Sequence, residues 1–232
     1  MQSDVNVRSC ANVIEPVLKG EIRQYFGKRA VDLLGAVFAL LIVGIPMAVV
    51  AVLVRVKLGS PVLFKQRRAG ALGKTFVIYK FRTMTDAKDA HGALLPDDRR
   101  LTKFGRFLRS TSIDELPELF NILKGDMSFV GPRPLLTQYV ERYSPEQARR
   151  LQAMPGLTGW AQVNGRNSVD WDARFKMDVW YVDHASLMLD MRVFFKTFGK
   201  VLGRSGISAS GEATMSEFRG MPDSSRSEAS SL

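Results

Sequence analysis

The chain has 232 residues, 46% of them hydrophobic, and a formal net charge of +10; this length suits one domain of ordinary size with a real core. So basic a balance suits an anionic partner, whether nucleic acid, an acidic membrane surface or a phosphorylated substrate, and charge alone does not choose among them. The lone Cys10 and the two distant histidines, His91 and His184, exclude a disulfide framework and thiol-liganded zinc, so any metal is expected to be a hard cation on carboxylates.

Residues 1–25 read as a leader without the apolar core and cleavage site of a secretory signal, with an amphipathic helix as an option around Val13–Phe26. The sharpest change of composition follows. Leu33–Val54 carries no charge over roughly 22 positions, about the length that spans a bilayer. Pro46, one residue beyond Ile45 and two beyond Gly44, falls inside that run, where proline removes a hydrogen bond and kinks a helix. The pieces on either side are about 13 and 8 residues long, roughly 20 Å and 12 Å of helix, and neither crosses a hydrocarbon core of about 30 Å. Arg23, Lys28 and Arg29 precede the run; Arg55, Lys57, Lys65, Arg67 and Arg68 follow it. Cytoplasmic flanks attract such cations, so residues 26–60 are expected to form a re-entrant helix broken at Pro46, with both ends on the cytoplasmic side. A kinked single span and a buried core helix are the alternatives.

Residues 61–220 are expected to form a cytoplasmic catalytic domain, and residues 221–232, rich in serine, a disordered tail. Pro61–Lys65 and Phe76–Phe81 read as strands joined across a Gly70–Gly73 turn, a small hairpin. Asp86–Arg100 reads as a loop, and Leu116–Leu123 as a helix stopped by Gly125. Leu135–Met154 reads as one or two helices interrupted at Ser144-Pro145. In Leu187–Leu202 the apolar residues recur at three- and four-residue spacing, while Arg192, Lys196 and Lys200 repeat on another face. That helix suits either a membrane interface or a core-facing position. The expected class is α+β, helix-dominated.

Four stretches carry residue types suited to phosphate chemistry. In Ser112-Ile113-Asp114-Glu115-Leu116-Pro117 two carboxylates stand at a helix start, where free amides and the dipole favour an anion. The same spacing is also that of a capping box. In Gly131-Pro132-Arg133-Pro134, prolines stiffen the backbone around one arginine, which either meets phosphate oxygens in a fork or stays solvated. Residues 155–167 form a glycine-rich stretch in which Arg166 offers a phosphate contact. Trp160, Gln162, Asn164 and Asn167 there offer stacking or hydrogen bonds to a sugar or base. Strand alternation puts Lys80 and Arg82 on one face, suited to phosphates or to plain solvent.

The run TSIDELPELFNILKGDMSFVGPRP at 111–134 closely resembles the bacterial sugar transferases, monotopic phosphoglycosyl transferases that act on polyprenyl phosphate. PGLTGWAQVNGRN at 155–167, FKQRRAG and YKFRTM within 64–84, and the Lys28-Arg29…Asp32 entry to the apolar run resemble the same family. The likeness covers about residues 26–220 and fits its small, single-domain form. Many members have serine directly before the helix-breaking proline, where this chain has Ile45. The resemblance implies an enzyme of the cytoplasmic face of the bacterial inner membrane that joins a UDP-sugar and undecaprenyl phosphate, with membrane lipids but no nucleic acid as partners. It leaves a homo-oligomer open. It implies Asp114 as a nucleophile toward the β-phosphorus, releasing UMP and holding the sugar phosphate covalently. Glu115 is its companion, or else an orienting group or base. Mg2+ is placed on the Asp114–Glu115 pair, and phosphates on Arg133 and Arg166, with Lys80 and Arg109 as further contacts. Residues 204–208 and 211–214 resemble the amino-sugar subgroup, which makes an N-acetylated amino sugar the expected donor. A plain hexose, or a non-catalytic adaptor for anionic lipid, are the alternatives.

Overall fold

The computed structural model describes residues 14–165, 169–202 and 217–220. Its first long element is a single 31-residue helix, α1 (Lys28–Leu58), with Pro46 in its interior. At the rise of a helix it measures about 46 Å. Ala36, Met47, Val54 and Leu58 on α1 are buried, and Ala39, Leu40, Val43, Val50 and Ala51 pack beside them. These positions recur at helical spacing and make one stripe along the length of the helix. The stripe meets Phe76, Ile78, Phe81, Leu108, Leu119, Ile122 and Met127 of the rest of the domain. The opposite face exposes Leu34, Phe38, Leu41, Ile42, Ile45, Val49, Val52 and Val56. A helix with this much apolar exposure is not the buried core helix of a soluble protein.

The cations before α1 are not a free positive flank. Lys28 is buried and pairs with Asp190 at 2.5 Å. Arg29 donates to the carbonyls of Ile122 and Leu123, and Arg23 pairs with Asp183. One turn on, buried Asp32 accepts from the Ser128 hydroxyl and the Phe129 amide. The start of α1 is therefore bolted to the domain by polar contacts, which also satisfies charges that burial would otherwise penalise.

After α1, strands β1 (Leu63–Ala69) and β2 (Thr75–Phe81) pair antiparallel, with Leu63 opposite Phe81 and Ala69 opposite Thr75. The hairpin lies where the sequence places it, although its first strand reaches Ala69 rather than stopping at Lys65. Next come α2 (Lys103–Ser110), capped by the Thr102 side chain, and α3 (Glu118–Lys124), closed by Gly125 at φ 90°. A left-handed residue after the last turn is the common glycine stop, as expected. β3 (Ser128–Val130) and β4 (Gly156–Thr158) form a parallel pair that three-residue strands gave no periodicity to reveal. Leu135–Met154 holds only short helical turns, the one at Pro145–Ala148 opened by a Ser144/Gln147 capping box. Three helices follow, α4 (Trp160–Asn164), α5 (Trp171–His184) and α6 (Leu187–Leu202). A last short stretch brings Phe218 into an aromatic cluster with Tyr139, Tyr143, Trp171 and Phe175. The leader is helical only at residues 14–18 among the described residues, shorter than the helix expected over Val13–Phe26.

Candidate active site

The local backbone explains how Asp114 is presented. Ser112 takes a left-handed conformation, φ 56°, and turns the chain out of α2 into the short turn Ile113–Glu115. Non-glycine residues rarely adopt this region, and such outliers gather at functional sites. Pro117 then sets the start of α3. The Ser112 side chain makes no cap hydrogen bond, so the capping-box alternative for this motif is not realised. Asp114 is left 8% exposed on the wall of an open cavity of about 1390 Å³. That is larger than the usual space for one small molecule, roughly 300–1,000 Å³.

The two carboxylates of the dyad differ sharply. Glu115 Oε1 accepts from Lys80 Nζ at 2.5 Å and from the Arg133 guanidinium at 2.7 Å. Burial raises the Glu115 carboxyl, but Arg133 and Lys80 outweigh it and hold the group well below the usual range. No side chain among the described residues bonds Asp114. Burial, and then the Glu115 charge, push Asp114 up to about 6, against the pull of Lys80, Arg109 and Arg133. Glu118, the first residue of α3 and 3% exposed, is a third carboxylate beside the pair. Its Oε1 lies 3.2 Å from Lys80 Nζ but accepts no hydrogen bond. Burial and the neighbouring Glu115 raise it.

The cations come from separate elements. Asn121 places Lys80: from α3 it accepts from the Tyr79 amide and donates to the Val77 carbonyl, locking β2 to the helix that carries Glu118. Arg109, at the end of α2, donates from Nε to Thr83 and lines the cavity. Arg133 is placed from below. The buried Arg150 donates to the Arg133 carbonyl at 2.7 Å while pairing with buried Asp178. Arg82, expected beside Lys80, lines the cavity too, but its guanidinium is taken by the carbonyls of Ser60 and Met84 and by Asp86. It braces the hairpin.

The glycine-rich stretch needs a different explanation from the one its composition suggests. A Cβ on Gly131 would lie 2.1 Å from the Met154 carbonyl oxygen, and one on Gly156 would lie 2.1 Å from the Gly131 amide. A Cβ on Gly159 would meet the Gly131 carbonyl oxygen at 2.1 Å. These glycines let two backbones touch, joining the Arg133 loop to β4. They do not open space for a ligand. Gln162 does line the cavity, with its Oε1 buried and unpartnered. Trp160 instead stacks on Trp180 at 4.8 Å, and Asn164 bonds the Trp160 carbonyl and Lys196. Neither of these two side chains is among those that line the cavity. Arg166 and Asn167 lie outside the described residues.

Thus Asp114, Glu115, Lys80, Arg109, Arg133 and Gln162 share one cavity. Sequence reasoning missed Arg68, Arg150, Arg174 and Asp178, which line it too, and Glu118, which lies against Lys80 behind it. Arg68 stands inside the FKQRRAG stretch that carries the family likeness, a signal that could have found it. Glu118 likewise stands inside the 111–134 run, while the other three sit in helical turns whose pattern resembles any solvated face.

Comparison with known proteins identifies the family. The family model described as bacterial sugar transferase matches residues 23–204. An uncharacterized sugar transferase, EpsL of Bacillus subtilis, is 52% identical over 196 residues, covering 84% of this chain and 97% of that protein. The undecaprenyl-phosphate galactose phosphotransferase of Salmonella typhimurium is 40% identical over 198 residues, covering 78% of this chain and 41% of that protein. A UDP-N-acetylgalactosamine-undecaprenyl-phosphate N-acetylgalactosaminephosphotransferase of Aeromonas hydrophila is 40% identical over 185 residues, covering 76% and 44%. The chain thus spans nearly all of the first relative and under half of the other two. A match over most of its length, across the residues that build the cavity, places this chain in the bacterial sugar transferase family.

Proposed function

We propose that this chain is a phosphoglycosyl transferase that moves a sugar phosphate from a UDP-linked N-acetylated amino sugar to undecaprenyl phosphate. It releases UMP and works through a phosphosugar held on Asp114. The observation that carries this reading is the asymmetry of the dyad. Glu115 is neutralised by two cations, while no side chain among the described residues bonds Asp114 on the cavity wall, with Lys80, Arg109 and Arg133 near enough to be felt. A carboxylate free of hydrogen bonds keeps its lone pairs for attack, and the surrounding cations stabilise the charge that gathers on a transferring phosphoryl group.

The donor set fits magnesium in part. Carboxylate oxygens are its ligands of choice, and it is commonly held by one or two of them plus substrate phosphates. Among the described residues no three acidic or histidine side chains converge on one point, and Glu115 Oε1 is already shared by Lys80 and Arg133. Asp114, the second oxygen of Glu115 and the donor's diphosphate would therefore hold it together. When bound, the ion supplies charge neutralisation on the diphosphate.

The membrane reading has its own support. Both ends of α1 dock on the same domain: Lys28 on Asp190 and Asp32 on Ser128 at one end, Lys57 over the Phe104 ring and buried Leu58 at the other. A helix tied to one domain at both ends presents both ends to one side of a bilayer. In this reading both ends stay on the cytoplasmic side and the exposed apolar face meets lipid, although α1 runs through Pro46 as one helix rather than breaking there. On α6, Met188, Met191, Phe195 and Phe198 are exposed, with Lys196 close by over the Trp160 ring. This face suits the same interface.

The choice of an amino sugar rests on residues 204–208 and 211–214, which lie outside the described residues, and on the Aeromonas relative. The Salmonella relative's name keeps a plain hexose in play. The test is UMP release from a panel of UDP-sugars by protein in lipid discs with magnesium and undecaprenyl phosphate, beside Asp114→Asn. Release with one donor, abolished by the substitution, and a donor-dependent mass increase of one phosphosugar on the wild type are expected. A donor-dependent release that survives Asp114→Asn overturns the covalent reading. An anionic-lipid adaptor would bind membrane and release no UMP from any donor.

A further inference from the structure

On the transferase reading, with α1 and α6 facing lipid, a polyprenyl phosphate has to bring its charged head to Asp114 while its isoprenoid stays out of water. The protein must then offer an apolar path from the bilayer to the dyad. Besides the cations around the dyad, the cavity is lined by an apolar set: Phe129, Leu157, Ala161, Val163 and Phe198. They come from β3, β4, α4 and α6, and these elements are neighbours. β3 pairs with β4, the hydroxyls of Thr158 on β4 and Thr197 on α6 share a hydrogen bond of 2.7 Å, and Lys200 of α6 donates to the Val163 carbonyl. The five therefore belong to one stretch of wall. That stretch leads toward the dyad, because β3 runs on into the Gly131–Pro134 loop whose Arg133 bonds Glu115.

The same wall reaches the lipid face. Phe198 lines the cavity and is also 53% exposed on α6, where Phe195 stands exposed as well. Phe129 meets Phe194 of α6 edge-on at 6.4 Å. It also lies so close to α1 that a Cβ on Gly35 would be 2.8 Å from its ring. Leu34 precedes that glycine and Phe38 follows one turn later, both on the exposed face of α1. Phe129 thus touches both helices whose exposed faces are read as meeting lipid, and it lines the cavity between them. At about 1390 Å³ the cavity has room for more than one small molecule.

Resting on that reading, we propose that the wall made by Phe129, Leu157, Ala161, Val163 and Phe198 is the groove for the first isoprene units of the acceptor lipid. Its phosphate lies at the dyad, and the rest of its chain passes by Phe198 into the bilayer. An isoprenoid offers no hydrogen-bonding group, so non-directional apolar contact is what can hold it.

Full-length protein in lipid discs tests this with Phe198→Gln and Phe195→Gln, two exposed positions of one helix of which only the first lines the cavity. Phe198→Gln is expected to raise the KM for undecaprenyl phosphate by about tenfold, the loss of one aromatic contact. Its rate of adduct formation on Asp114 from donor alone should stay near wild type, which also shows that the variant is folded. Phe195→Gln reports the loss of membrane anchoring by itself and should change that KM far less. Equal changes in the two variants, or none in Phe198→Gln, overturn the groove. A second measurement needs no turnover. The photoreactive benzoylphenylalanine, put in place of Phe198 or of Phe195, is irradiated with undecaprenyl phosphate in the absence of donor. Crosslinks to undecaprenyl phosphate should be enriched at position 198 over 195. Equal labelling at the two positions, or crosslinks to disc phospholipid alone, overturns the groove. Enriched labelling at 198 in a protein that releases UMP from no donor overturns the reaction and leaves the groove standing.

Discussion

At the residue scale, the carboxylate proposed to carry the chemistry also carries a stability cost. Asp114 rises to about 6 in the folded protein from an ordinary value near 4, because burial and Glu115 disfavour its charge. The folded state therefore holds that proton more tightly than the unfolded chain does. Its stability relative to an unshifted carboxylate is intact below about pH 4, falls as pH rises to about 6, and stays lower above that. A displacement of this size is worth roughly 3 kcal/mol. Asp114→Asn removes the penalty, so at pH 7.5 it is expected to melt several degrees above wild type while losing turnover by at least ~10³-fold. At pH 4 the gain in melting temperature should vanish. A variant as inactive as expected but no more stable at pH 7.5 would mean that Asp114 is not strained in the resting protein. If Asp114 is the proposed nucleophile, the same proton predicts that the rate of UMP release at limiting donor falls below pH of about 6, where that carboxylate is protonated. The sequence announced this residue through its motif. It could not announce the difference between Asp114 and Glu115, because that depends on Lys80 and Arg133 arriving from a strand and a loop that lie far apart in the chain.

At the element scale, what was legible depended on length and period. The β1–β2 hairpin, α3 with its glycine stop and α6 all carry a repeat or a terminator long enough to read. The β3–β4 pair has three residues per strand, and its meaning lies in glycines that could equally have opened a ligand loop. The overlap at these glycines makes a prediction. A Cβ 2.1 Å from backbone leaves no flexible group to yield, so Gly131→Ala and Gly156→Ala should each destabilise by several kcal/mol, on the order of the largest single-site losses. They should also impair activity, because the loop they displace carries Arg133. A thermal shift below about 2 °C in either variant would contradict the interlock, since even ~1 kcal/mol moves a domain of this size by that much. The Arg150–Asp178 pair acts on the same loop from the other side. Asp178→Asn leaves a buried guanidinium without its anion, a loss of about 3–5 kcal/mol. Any activity that survives should carry a raised KM for the donor, because the Arg133 carbonyl loses its anchor. Unchanged stability with unchanged KM would show that water or another group replaces Asp178.

At the scale of the whole molecule, hydropathy found α1 and misread how it is held. A composition count sees 22 uncharged positions and a proline; it does not see that every third or fourth of them is reserved for contact with the domain. The docked stripe from Ala36 to Leu58 and the polar bolts at Lys28 and Asp32 occupy one face. The other face is left with more exposed apolar surface than a soluble protein carries. A single span would have to pull one end off the domain, losing either the buried Lys28–Asp190 pair or the packing of Val54 and Leu58. Breaking the pair alone costs about 3–5 kcal/mol. Topology labelling tests which arrangement holds. In a Cys10→Ser background, Phe26→Cys and Arg55→Cys should both react with a membrane-impermeant maleimide from the cytoplasmic side of inverted vesicles. Ile45→Cys, 80% exposed on the apolar face, should be protected by lipid and become reactive in detergent. Reaction of the two end positions from opposite sides would mean that α1 leaves the domain to span the bilayer, and the contacts that tie both of its ends to one side would not hold in the membrane.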